Sequence, residues 1–227
     1  MNETFDTSVA IVDDDPAVRQ ALARLLRVDG NNVQTFSCAQ ELLQHMSIDH
    51  IGCLVLDLQL PDLNGLELQA ILDRLEDAPS IVFISGHGDI PITVRAMQAG
   101  AIDFLPKPFE AQALLDAVAR ALEKDRERRT RQRELTDICK HLKSLTPREQ
   151  DVLRGVVAGL LNKQIAARLD ICEKTVKIHR AHVMEKMCVR SVAELVHITE
   201  QIGLDKKPLP GNEQSHSHSL LPAHSNH

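Results

Sequence analysis

Six residues could do chemistry, and each lies at the end of a short apolar run. Asp13-Asp14-Asp15 follows Val9–Val12, Asp57 follows Cys53–Leu56, Ser85 follows Ile81–Ile84, and Lys107-Pro108 comes just after Ile102–Leu105. If the runs are strands ending on one edge, the acids, the hydroxyl and the lysine meet at one mouth. Clustered carboxylates repel and are costly to desolvate, so one takes a proton or a cation binds. A hard, oxygen-liganded ion such as Mg²⁺ suits, because it keeps several waters and leaves room for a phosphoryl group. Lys107 then offers a point charge to one phosphoryl oxygen and Ser85 a hydrogen bond to another. The chemistry becomes positioning and charge neutralisation around an in-line transfer to a carboxylate oxygen of Asp57.

The elements that must position these groups alternate regularly. Val9–Val12, Val33–Phe36, Cys53–Leu56, Ile81–Ile84 and Ile102–Leu105 read as five strands. Helically spaced stretches lie between them, marked by Val18, Leu22, Leu25 and Leu26; by Leu66, Ala70, Ile71 and Leu75; by Val94, Met97 and Gln98; and by Leu114, Leu115, Val118 and Leu122. Five strands alternating with five helices predict a doubly wound α/β fold with a five-stranded parallel sheet. Ligands of such sheets bind beyond the carboxyl ends of the strands. Asp15-Pro16 also reads as an N-cap followed by an N1 proline, which leaves Asp13 and Asp14 for a metal. Gly86-His87-Gly88 is no dinucleotide fingerprint, because Pro91 stands where its third glycine belongs.

Composition narrows the classes. The 227 residues are 43% hydrophobic and 26% charged, which argues against a fibrous or wholly disordered chain. With 2% aromatics and no Trp or Tyr, stacking platforms for single-stranded nucleic acid are not expected. The five cysteines form no CxxC pair, so a reducing, cytoplasmic setting is expected, and no run is apolar enough for a membrane helix. Residues 1–122 hold 7 Lys and Arg against 18 Asp and Glu, whereas 123–143 hold 8 against 5 and 144–203 hold 9 against 7. An acidic body joined to a mildly basic one suggests two units with different partners. The Arg126–Arg133 stretch reads as continuous helix bearing solvated charges.

Val12-Asp13-Asp14-Asp15-Pro16, Leu56-Asp57-Leu58 with Pro61, Ile84-Ser85-Gly86-His87-Gly88-Asp89 and Phe104-Leu105-Pro106-Lys107-Pro108-Phe109 resemble the receiver domain of two-component response regulators. The match covers about residues 7–122 and implies a flavodoxin/CheY-like fold. It implies that a sensor histidine kinase phosphorylates Asp57. It further implies that Asp14, Asp57 and the Gln59 carbonyl hold Mg²⁺, with Asp13 assisting through water. A cis peptide at Lys107-Pro108 is also implied, with Ser85 closing on the phosphoryl group and Phe104 rotating inward behind it. The family often has Thr in place of Ser85 and Tyr in place of Phe104. Gln59 and His87 would flank the path of attacking water and set the lifetime of the phosphoryl group. A haloacid-dehalogenase-like phosphohydrolase is the alternative, with Asp13-x-Asp15 as its nucleophile loop. Ala17 departs from that loop, and the second half of the chain would go unexplained. A constitutive DNA-binding protein whose first unit only dimerises is a third reading.

The second half reads as four short helices. Thr146-Pro147-Arg148-Glu149 is a capping-box start, a second helix spans about Asn162–Leu169, a third about Glu173–Met187, and a fourth runs from Ser191 to about Ile202. The third helix has a core stripe of Val176, Val183 and Met187, while its other face shows Lys174, Lys177, Ile178, Ala181, His182 and Glu185. An outward isoleucine among basic and small residues suits a DNA major groove. Leu145-Thr146-Pro147-Arg148-Glu149, Asn162-Lys163-Gln164-Ile165-Ala166, Glu173 to Arg180 and Val189 to Leu195 resemble the LuxR/NarL-type DNA-binding domain. That resemblance implies that Lys177, Ile178 and Ala181 face base edges, although Ala181 is short for its position. Asn162, Lys163, Thr175, His179 and Arg180 would face phosphates, and the Leu195 helix would dimerise.

Together the two halves are similar to the FixJ/StyR-like branch of response regulators. The expected organisation is a receiver at 7–122, a helical linker at 123–143, a helix-turn-helix domain at 144–203 and a disordered tail at 204–227. The expected function is a phosphorylation-switched transcriptional regulator, an activator, not an enzyme. Its implied partners are the kinase, double-stranded promoter DNA, RNA polymerase and a second copy of itself upon phosphorylation, with no membrane. The irregular spacing of His216, His218, His224 and His227 makes the tail a solvated segment rather than a metal site.

Overall fold

The structure, a computed structural model, describes residues 7–44, 50–75, 77–86 and 90–204. The chain divides into two compact units, with the boundary between Arg131 and Gln132. His87 and the tail histidines lie outside the described residues.

In the first unit, β1 (Ser8–Val12), β2 (Val33–Phe36), β3 (Ile51–Asp57), β4 (Ser80–Ser85) and β5 (Asp103–Pro106) form one sheet in the order β2-β1-β3-β4-β5. All four ladders are parallel. The helices α1 (Pro16–Val28), α2 (Ala39–Leu43), α3 (Gly65–Leu72), α4 (Ile90–Gln98) and α5 (Ala111–Lys143) follow the strands in turn. Period-two alternation sorts the strand side chains between two cores. Val9, Ile11, Cys53, Val55, Val82 and Ile84 pack with α1 and α5, whereas Ala10, Val12, Leu54, Leu56, Ile81 and Phe83 pack with α2, α3 and α4. Every residue of β3 is therefore buried.

Two helices turn another face inward than their spacing suggested. In α3 the buried residues are Gly65, Leu68, Gln69 and Leu72, while Ile71 and Leu75 of the expected stripe are exposed. Apolar residues on both sides of α3 left its orientation undetermined by periodicity. In α4, Ala96 is buried, and Ile90, Val94 and Met97 form an outward apolar row.

The helix α5 is continuous over 33 residues, and the unit boundary lies inside it. Arg128 and Arg129, expected as solvated charges, instead bond the carboxylate of Asp125, which is 1% exposed. Arg128 also reaches Asp77, and Arg129 the Ile51 carbonyl. A buried carboxylate demands such partners.

The second unit holds α6 (Pro147–Val157), α7 (Asn162–Leu169), α8 (Glu173–Lys186) and α9 (Val192–Gln201). Both arms of the Thr146/Glu149 capping box form, and Ser191 caps α9 by accepting from the Glu194 amide. Val152, Leu153, Val156, Ile165, Val176, Val183, Met187 and Leu195 make the core, joined by Ile138 and Leu142 from the end of α5. Asp170 closes α7 in the left-handed region with φ 52°, turning the chain into α8.

Candidate functional site

The strand tips do meet at one mouth. Val12 pairs with Leu56, Asp57 with Ile84, and Ser85 with Pro106, so the ends of β1, β3, β4 and β5 lie side by side. Lys107 Nζ donates to Asp13 Oδ2 and to Asp57 Oδ2, at 2.7 Å each. Its own amide donates to the Ser85 carbonyl at 2.6 Å, and the Lys107-Pro108 peptide is cis. Ser85 is fully buried, and the Phe104 ring, also buried, stands 6.2 Å from that of Phe83.

The acids divide the labour. Asp15 caps α1, accepting from the amides of Ala17 and Val18. Asp13 is buried and accepts the Asp15 amide on Oδ1, while Asp14 is exposed. Burial pushes the Asp13 carboxyl above its ordinary range, against the pull of Lys107, and the neighbouring Asp57 charge pushes the same way. Burial opposes the charge on Lys107, but its bonds to Asp13 and Asp57 prevail and raise its pKa. Carboxylate oxygens of Asp13, Asp14 and Asp57 lie within 4.8 Å of one another. The Gln59 amide donates to Asp57 Oδ1, which sets the Gln59 backbone beside the same carboxylate. An all-oxygen donor set with one exposed member suits a hard divalent ion that retains water.

Three supporting residues escaped sequence reading. A Cβ at Gly65 would lie 2.9 Å from the Asp57 carbonyl oxygen and 3.0 Å from the Phe83 ring, so only glycine lets α3 start so close to Asp57. Asp62 accepts the amides of Ala39 and Gln40 at the start of α2. Arg19 donates to the Asp13 carbonyl at 2.6 Å. The Pro-Asp-Leu-Asn-Gly run at 61–65 was the available signal, as a turn leading into a capped helix.

In the second unit, α8 exposes Lys174, Lys177, Ile178 and Ala181 on one side, with Ile178 49% exposed. Arg180 Nη1 donates to Asn162 Oδ1 at 3.0 Å, tying α8 to the first turn of α7, where Lys163 is exposed. The Thr175 hydroxyl lies 3.0 Å from Cys172 Sγ at the start of α8. The Nδ1 of His179 is buried, so only its Nε2 remains for a phosphate. Leu195 is buried, which limits any contact by α9 to its outward residues.

Residues 9–119 match the family described as response regulator receiver domain, and residues 143–199 the family described as bacterial regulatory proteins, luxR family. Nodulation protein W of Bradyrhizobium diazoefficiens is 50% identical over 196 residues, which cover 86% of each protein. The chain belongs to the LuxR-family response regulators. The transcriptional regulatory protein FixJ of Rhizobium meliloti is 44% identical over 85% of this response regulator and 95% of its own length. The solved structure of the response regulator StyR superimposes with a TM-score of 0.78, at 51% identity over 86% of this chain and 98% of that one. This response regulator is thus a DNA-binding transcriptional regulator of a two-component system, with a kinase and DNA as partners, and not an enzyme. The phosphohydrolase alternative falls with that membership, and Asp15, its second carboxylate, is occupied in capping α1. Receiver domains use Mg²⁺ for phosphotransfer. Among the described residues, no helix is long and apolar enough to cross a membrane.

Proposed function

We propose that this regulator is switched by phosphorylation of Asp57 and that the switch is read out as dimeric binding to promoter DNA. The single observation that carries the reading is the Lys107 ammonium bonded to both Asp13 and Asp57, with Asp14 beside them. An Asp57 carboxylate oxygen attacks the phosphorus of a phosphohistidine on the kinase, the phosphorus–nitrogen bond breaks, and the imidazole leaves. Lys107 gives up its bond to Asp57 and follows the transferred oxygens, while Ser85, one strand away, donates to another. Asp14, Asp57 and the Gln59 carbonyl would hold Mg²⁺, with Asp13 assisting, and the ion would supply charge neutralisation around the phosphoryl group. The buried Phe104 ring behind Ser85 repacks as that hydroxyl shifts.

A transferred phosphoryl group needs only to favour one pre-existing arrangement over the other. The outward row of Ile90, Val94 and Met97 on α4 supports a receiver surface that pairs with a second copy. The receiver would span 7–122 and the DNA-binding domain 144–203, joined through helical 123–143, a division that family matches at 9–119 and 143–199 support. On DNA, Lys177, Ile178 and Ala181 would meet base edges, and Asn162, Lys163, Thr175, His179 and Arg180 phosphates. The promoter-bound dimer would contact RNA polymerase and activate transcription in the bacterial cytoplasm. Asp57→Asn should abolish labelling by a small phosphodonor such as acetyl phosphate while leaving the thermal melt near that of the wild type. Labelling retained at the wild-type level would refute the assignment.

A further inference from the structure

We propose that Glu149, His179 and His182 form a binding site for a borderline-soft divalent ion of the Zn²⁺ type in the DNA-binding unit, apart from the acidic receiver site. One ligand atom from each of the three lies within 4.8 Å of the others. The histidines sit three residues apart on α8 and therefore share a face, while Glu149 comes from the first turn of α6. The separation of His182 Nδ1 from Glu149 Oε1 is 3.5 Å. Two ligands at about 2.0–2.1 Å from a tetrahedral zinc stand roughly 3.3 Å apart, so that pair is already near its working distance.

The two oxygens of Glu149 have different roles. Oε2 accepts the Thr146 amide at 2.8 Å and the Lys186 ammonium at 2.7 Å. Oε1 is the oxygen turned to His182. Thr146 and Lys186 thus orient the carboxylate as outer partners do at metal sites. The glutamate side chain is 4% exposed, so it is held in place. His179 brings one ring nitrogen to the cluster, and its Nδ1 is buried with no hydrogen-bond partner among the described residues. The His182 side chain is 51% exposed and leaves one side of the site open to water. Two imidazoles, one carboxylate oxygen and an open fourth position form a donor set that zinc accepts and that Mg²⁺, an all-oxygen ion, does not favour.

The test uses the full chain with His216, His218, His224 and His227 changed to Gln, so that the tail cannot compete, in buffer containing excess Mg²⁺. Zinc uptake is measured against a chromophoric chelator, and Co²⁺ reports geometry through its visible absorption. The expected result is zinc uptake that His182→Gln and His179→Gln each weaken by at least about tenfold. A tetrahedral Co²⁺ spectrum should disappear with the same changes. His182→Gln is the decisive variant, because its exposed side chain leaves the metal-free fold intact, as far-UV circular dichroism will report. Zinc uptake equal in the wild type and the His179→Gln/His182→Gln double variant, or no zinc uptake at all, overturns the proposal.

Discussion

At the scale of single residues, Lys107 and Glu149 occupy parallel positions in the two units. Each is a charged group held by partners from another element, and each organises its surroundings. Hydrogen bonds from Lys186 and from the Thr146 amide hold the Glu149 carboxyl down at about 2, against the usual 4.5. A carboxylate whose pKa falls on folding stabilises the fold above its unfolded pKa and loses that contribution as the pH drops through the folded one. Glu149→Gln should therefore destabilise the second unit by about 1–3 kcal/mol at neutral pH. In melts followed by circular dichroism, the gap should close as the pH falls from 4.5 toward about 2. A gap independent of pH would contradict the assigned role. The sequence marked Glu149 as a cap because Thr and Glu three apart before an apolar run have a local meaning. It could not mark the bond to Lys186, which lies 37 residues away.

At the scale of elements, the strands were legible and the helix faces only partly so. Apolar runs ending in Asp13, Asp57 and Ser85 read correctly because a central parallel strand is buried on both sides and needs no choice of face. Helices α3 and α4 carry apolar residues on more than one side, and only packing selects Leu68 and Leu72 over Ile71, or Ala96 over Val94. The run at 61–65 signals a turn but not why glycine is needed there, since the atoms a Cβ would meet belong to Asp57, Leu58 and Phe83 rather than to its own turn. Gly65→Ala should cost about 1–3 kcal/mol and slow phosphorylation, because the added methyl pushes on the Asp57 backbone. Gly86→Ala serves as the control, as its Cβ would meet nothing within 4 Å. Equal melting temperatures for the two variants would remove Gly65 from the account.

At the scale of the whole molecule, the chain holds an acidic sheet-based unit and a helical unit, with the boundary between Arg131 and Gln132. Asp125, with Arg128 and Arg129, anchors α5 to the first, and Ile138 and Leu142 anchor its end to the second. The charge run between them had looked like a solvated face because helical spacing cannot show that a buried acid awaits two of its arginines. If the α4 row is the pairing surface, beryllofluoride with Mg²⁺ should shift the sedimenting species from monomer to dimer. Met97→Glu should prevent the shift while leaving the melt unchanged. Footprints of the activated protein should then cover paired half-sites about one helical turn, ~10 bp, apart. Protection of a single isolated half-site would count against a dimeric reader.

What the amino-acid order determined alone was local: which runs are strands, where helices are capped, and which polar side chains stand at each strand tip. These follow from backbone preferences and burial, which act over a few neighbouring residues. Only the tertiary structure decided what requires distant groups to meet. It joined Lys107 to two acids at 2.7 Å, laid Gly65 against Asp57, turned α4 outward at Ile90, Val94 and Met97, and gathered Glu149 with two histidines of α8. Hydrogen bonds, contact repulsion and ion coordination act over a few ångströms of space, and that proximity is set by the packing of whole elements.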